Sequence, residues 1–209
     1  MWLLGTGTAV ALAAPAARAT PIAEGGARLA ATLDATHVER LWPAGTPVHW
    51  ETGEPTGKGP KPGHAHTHCS AFAAAFAKHL GVYVLRPPEH SATLLANAQL
   101  DWLDAEGARN GWTSVATAEA AQALANEGKL VLAVFKAHAT TQAGHVAVVR
   151  PSAKSGDELT RDGPEIAQAG AENSADTTVR EGFKHHRDAW EKHRIRYFAH
   201  DVAWASVAP

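Results

Sequence analysis

The stretch Thr67-His68-Cys69-Ser70-Ala71-Phe72-Ala73-Ala74-Ala75-Phe76-Ala77-Lys78-His79-Leu80-Gly81 reads as one helix with a cysteine at its head. Phe72, Ala75, Phe76 and Leu80 recur at the helical period, so one face is built to pack on an apolar layer. Gly81 is a natural left-handed stop. Cys69 is the single cysteine of the chain, so no intramolecular disulfide can account for it. A thiol at a helix N-terminus feels the positive end of the macrodipole, which favours thiolate, the nucleophilic form. A free cysteine is often just a small buried hydrophobe. Here it precedes the apolar face and follows a Gly/Pro/His segment expected to be exposed, which favours the nucleophile.

Working outward from that helix, Trp42 to Gly63 is rich in Pro, Gly and Thr and reads as loop, since Pro and Gly disfavour both helix and ladder. Before it, residues 20–37 read as a short helical lead-in, with Leu29, Leu33 and Val38 near helical spacing. After Gly81, Val82 to Leu85 reads as a short strand closed by Arg86-Pro87-Pro88. Ser91 is placed to cap a second helix, whose stripe is Leu94, Leu95, Ala98 and Trp102 and whose Asn97 and Gln99 are expected to face solvent. Thr117 caps a third helix that ends at Gly128. The pattern then turns to strands at residues 130–135, 145–150, 165–169 and 195–198, with a helix over 183–192 between the last two. Loops, not regular crossover helices, join these strands, which predicts antiparallel pairing. The expected fold class is α+β, with N-terminal helices packed on a C-terminal antiparallel sheet. Trp42, Trp50, Trp102 and Trp112 are expected in the core.

The 209 residues, 45% of them hydrophobic, suit one domain with a real core. A formal net charge of −2, without a basic stripe, excludes an electrostatic case for nucleic-acid binding. Residues 1–19 read as a leader, with an apolar run from Trp2 and a small-residue cleavage signal at Ala17-Arg18-Ala19, although no Lys or Arg precedes the run. The expected division is a leader over 1–19, a lead-in and loop over 20–63, and a catalytic domain over 64–209. No later segment approaches transmembrane length, and the expected location is the periplasm or the exterior.

A cysteine hydrolase needs a thiolate, an imidazole and a polar group that orients the imidazole. With 13 histidines in the chain, most are bystanders. His145 stands out in Gly144-His145-Val146-Ala147-Val148-Val149, at the mouth of a strand whose alternating valines anchor it. The third group is expected from the next strand, where Gln168, Glu172 and Asn173 are candidates and the preference runs Gln168, then Asn173. A neutral amide suffices, because its carbonyl fixes the imidazole tautomer without bearing a charge. Separately, His64-Ala65-His66-Thr67-His68 puts three imidazoles at alternate positions. That spacing could ligate zinc or copper, with Cys69 as a fourth ligand. One short segment wraps a metal poorly, so a solvated His-rich loop is the expectation, and no metal or other cofactor is required.

Cysteine at a helix head, Gly144-His145-Val146-Ala147-Val148-Val149 opening a strand and a polar residue on the strand that follows resemble the papain-like NlpC/P60 and CHAP hydrolases, over roughly residues 64 to 175. The nucleophile segment Thr67-His68-Cys69-Ser70 departs from the usual box of those families, and Gln168-Ala169-Gly170 does not match cleanly. The resemblance implies a papain-like fold and an exported cysteine peptidase or amidase that cleaves amide bonds in peptidoglycan stem peptides. It implies catalytic roles for Cys69, for His145 and for Gln168 or Asn173. Two rivals remain: a metal-binding protein using His64, His66 and His68, and a non-catalytic descendant of the fold that binds cell wall.

Overall fold

A computed structural model of the chain describes residues 19–59, 67–139 and 141–207. Residues 1–18 of the expected leader, together with His64 and His66, lie outside the described residues. The described residues form a mixed helix and antiparallel-sheet architecture. Its strands are β1 (Thr113–Val115), β2 (Leu130–Phe135), β3 (His145–Val149), β4 (Glu165–Gln168), β5 (Ser174–Thr178) and β6 (Arg196–His200). They lie in the order β1-β6-β2-β3-β4-β5, with every neighbouring pair antiparallel. Among the described residues no helix is long and apolar enough to cross a membrane.

The sheet order follows from composition. In β2 and β3 every residue is buried, as continuous apolar runs demand when both faces are covered. The polar Ser174-Ala175-Asp176-Thr177-Thr178 forms the outer strand β5, where one edge meets no further strand among the described residues. Gly144 is required where β2 and β3 begin to pair. A Cβ there would collide with the Phe135 carbonyl and come within 2.6 Å of Asn97 Oδ1.

The longer helices are α1 (Glu24–Ala35), α2 (Cys69–His79), α3 (Leu95–Ala105) and α4 (Ala118–Glu127). Three shorter ones, α5 (Gly156–Asp162), α6 (Val179–Gly182) and α7 (Arg187–Glu191), join the later strands. The α2 helix is buried at every position from Cys69 to Ala77 and packs on β3. One apolar face was expected; the alanines around Phe72 and Phe76 are small enough for the fold to close on all sides. Phe72 meets Trp42 edge-on at 5.2 Å between ring centroids. Leu29, Leu33, Val38 and Trp42 belong to the same hydrophobic core as α2 and the sheet, so the lead-in is built into the domain. Trp112 is buried as well, whereas Trp50 and Trp102 are partly buried against the core.

Four local expectations are corrected. Val82 to Leu85 is not a strand, because other groups take its backbone polar atoms. Val82 N–H donates to Ala77 O at 2.8 Å, Tyr83 O accepts the Trp112 indole at 2.8 Å, and Leu85 O accepts Gln99 Nε2 at 3.0 Å. Ser91 does not cap α3: its hydroxyl accepts from Thr93 N–H in a local turn, and Leu94, at φ 53°, leads into the helix. Asn97 and Gln99 are buried, not solvated. The region 183–192 holds a turn followed by the short α7, not one continuous helix. Thr117 does cap α4, accepting from Ala120 N–H at 3.1 Å.

Candidate active site

Cys69 opens α2 and His145 opens β3, the strand on which α2 packs. Both are buried, each 5% exposed. The backbone N–H groups of Val146, the residue that follows His145, of Ser70 and of Cys69 itself, with the Ser70 hydroxyl, bear on the Cys69 sulfur as favourable dipoles. These donors favour thiolate, yet burial outweighs them and pushes the thiol above its ordinary range. The expectation of a dipole-stabilised thiolate is therefore corrected: desolvation wins, and the resting group is the neutral thiol.

His145 is held by Gln168 at the end of β4, with 2.7 Å between His145 Nε2 and Gln168 Oε1. The orientation of the Gln168 amide is set in turn by its Nε2, which donates to the Glu172 carbonyl at 3.1 Å. An amide oxygen can only accept, so His145 carries its proton on Nε2 and keeps a lone pair on Nδ1. Gly182 makes room for this bond, since a Cβ there would lie 2.5 Å from Gln168 Oε1. The Phe183 ring meets His145 edge-on at 4.6 Å, and the His186 ring stacks on it at 5.7 Å. Burial lowers the imidazole pKa from 6.5 to about 4, against the smaller raising effect of the Gln168 bond. His186 is also lowered to about 4, by burial first and then by repulsion from His145 and His185.

Asn173 is occupied elsewhere. Its Nδ2 donates to the carbonyls of Val38, Leu41 and Trp42 at 2.8, 2.8 and 3.2 Å, and its Oδ1 accepts Gly170 N–H at 3.0 Å. It clips the lead-in to the β4–β5 turn. Glu172 supplies its carbonyl to Gln168 while its side chain pairs with Lys184 at 2.7 Å on the surface. Of the His-rich segment, His68 donates its Nε2 proton to Thr46 O at 2.8 Å. Among the described residues no group of three or more His, Cys, Asp or Glu is placed to hold a metal ion.

Sequence reasoning missed Phe183, His186 and Gln99. Gln99 Nε2 donates to Ser70 O at 3.1 Å and to Leu85 O, tying the first turn of α2 to the segment after it. A polar residue on an amphipathic helix carries no sequence mark of such a bridge. Phe183 and His186 reach His145 only through the turn between α6 and α7, which no local pattern announces. A groove of about 840 Å³ between Val48–Glu54 and Pro87–Ala92 includes neither Cys69 nor His145. A smaller one of about 490 Å³ has His186 in its wall and so lies next to the candidate site. No family model matches the chain, and no curated protein does.

Proposed function

We propose that the protein is a cysteine amidohydrolase or peptidase of papain-like design in which Cys69, His145 and Gln168 act together. One observation carries the reading: the relay from the Glu172 carbonyl through the Gln168 amide to His145 Nε2, which leaves Nδ1 as a base. His145 leads into the strand on which α2 packs, and the N–H of the next residue, Val146, favours the Cys69 thiolate. A buried imidazole oriented this way suits general-base work, and a lone thiol at a helix head suits nucleophilic work.

Because burial keeps both groups neutral at rest, the chemistry begins with proton transfer coupled to attack. His145 Nδ1 takes the thiol proton as sulfur bonds to the substrate carbonyl carbon. The Gln168 oxygen stabilises the imidazolium so formed. That imidazolium then protonates the leaving nitrogen, the C–N bond breaks, and a thioester remains. Water, deprotonated by His145, hydrolyses the thioester and restores the thiol. The Cys69 backbone N–H, at the start of α2, is the proposed oxyanion donor. Peptidoglycan stem peptides are the proposed substrate and the periplasm or exterior the proposed location, on the strength of the sequence resemblance and the leader.

Digestion of purified peptidoglycan, with products read by mass spectrometry, tests the proposal. Wild type should release amide-cleaved fragments and Cys69→Ala should release none. Equal release by both would remove the proposal.

A further inference from the structure

The larger groove, of about 840 Å³, runs between a wall at Val48 to Glu54 and a wall at Pro87 to Ala92. Both walls are tied to residues that flank Cys69. Thr46 O, just before the first wall, accepts the Nε2 proton of His68 at 2.8 Å. Leu85 O, just before the second, shares the Gln99 amide with Ser70 O, at 3.0 and 3.1 Å. The first wall is a closed turn. Val48 bridges Pro55, His49 N–H donates to Glu54 O at 2.9 Å, and Gly53 N–H donates to His49 O at 2.8 Å. Trp42 braces this turn from the core. Its indole N–H donates to Trp50 O at 3.0 Å and its backbone N–H to Gly53 O at 2.8 Å.

On that turn Trp50 is only partly buried, and its indole N–H has no hydrogen-bond partner among the described residues. A tryptophan held this way in the wall of a groove offers a flat apolar face and one donor. Charge narrows what the ring can receive. No Lys or Arg among the described residues lines the groove, so nothing there favours an anion. Demand for a cation is met within the protein: Lys78 Nζ lies 5.6 Å from the Trp50 ring centroid and pairs with Glu51. What remains is His49, the rings of Pro87 and Pro88, and Glu54. Glu54 is exposed and has neither an ion pair nor a side-chain hydrogen bond among the described residues. Such a set suits a pyranose ring, whose C–H face packs on an indole while its hydroxyls donate to a carboxylate and accept from N–H groups.

We propose that this groove binds a neutral oligosaccharide, with one sugar ring stacked on Trp50 and its hydroxyls bonded to Glu54 and His49. The hydrolase reading enters only in calling that saccharide part of the substrate. It then makes the substrate a glycan-bearing one, held by walls that are bonded to the head of α2.

The test is made on full-length Cys69→Ala protein, so that binding is read without turnover. Chitotetraose, cellotetraose and tetralysine are titrated while the indole N–H signals are followed by ¹⁵N NMR, the Trp50 signal being the one absent from Trp50→Phe. A saturable shift of that signal with at least one of the two tetraoses is expected. By calorimetry, Trp50→Ala should weaken the binding roughly tenfold or more and Glu54→Gln roughly fivefold, the scale of a lost stacking contact and a lost charge-assisted hydrogen bond. Glu54 is exposed, so its variant keeps the fold even if Trp50→Ala does not. No shift with either tetraose would overturn the proposal, as would undiminished affinity in Glu54→Gln. Tetralysine moving the Trp50 signal as strongly would also overturn it, in favour of a cation site. Saccharide binding by a protein whose wild type cleaves no amide would sink the hydrolase reading alone. Amide cleavage by a protein that binds neither tetraose would sink the groove assignment alone.

Discussion

Two sets of buried polar side chains, one at the end of α4 and one around α2 and β3, are treated oppositely by the fold. At α4, Gln122 donates to Asn126 Oδ1 at 3.0 Å and to Arg150 O at 2.8 Å, and its Oε1 accepts Glu165 N–H at 3.0 Å. Asn126 donates to Thr20 O and Ser152 O and accepts Ser152 N–H. Every polar atom of those two amides is bonded. Around α2 and β3, Gln99 Oε1 and Arg194 Nη1 are buried without a hydrogen bond, the thiol is raised and two imidazoles are lowered to about 4. The first arrangement holds loops in place. The second keeps a thiol and two imidazoles neutral and leaves one acceptor and one donor without a hydrogen bond, a combination that clusters at functional sites.

The largest effects should fall at the second set. Cys69→Ala and His145→Ala should each cut amide hydrolysis by roughly 10⁴-fold or more, and the double variant should be scarcely worse, because the two act as a unit. Steady-state rates on the three proteins decide it. Additive losses would mean that the residues work separately.

Acid should also expose the difference. The folded-state pKa of His145 lies near 4, below its ordinary 6.5, so its neutral burial adds full stability above pH 6.5. That stability is lost as pH falls from 6.5 toward 4, by about 3 kcal/mol at about 1.4 kcal/mol per pKa unit. Denaturant unfolding over this range should show that loss on top of the one His186 contributes in wild type, and His145→Gln should keep only the His186 share. A flat profile in wild type would contradict a neutral buried imidazole.

The third comparison sets Gln168→Ala against Asn173→Ala, two amides that the sequence offered for one role. Gln168→Ala should slow hydrolysis by roughly 10²-fold, through a lost tautomer. Asn173→Ala should leave the rate nearly unchanged and cost about 2 kcal/mol of stability, because three lead-in carbonyls lose their donor. The smallest effect on chemistry should come from Asn126→Ala. It should destabilise by about 2 kcal/mol while leaving the pH–rate profile in place. A shifted profile would mean that the two sets are coupled.

Much of this arrangement was legible because its signals are local. The apolar run of β2 and the head of β3 come within one residue of their observed bounds, and Gln168 lies on the strand next to His145. What was missed depends on tertiary partners. Val82 to Leu85 has strand composition, but side chains of Trp112 and Gln99 take its carbonyls. The strands β1 and β5 are short or polar and exist because β6 and β4 lie beside them. The charge state of Cys69 was misjudged for the same reason: a helix terminus is visible in sequence, whereas the burial that outweighs it is not.

The most direct measurement is a ¹⁵N NMR titration of the His145 imidazole in the intact protein. The relay predicts a neutral ring at pH 7 with its proton on Nε2, a lone pair on Nδ1, and protonation only near pH 4. In Gln168→Ala the tautomer preference should relax. A ring protonated at pH 7, or one carrying its proton on Nδ1 in wild type, would contradict the account, because no base would then be free to take the Cys69 proton.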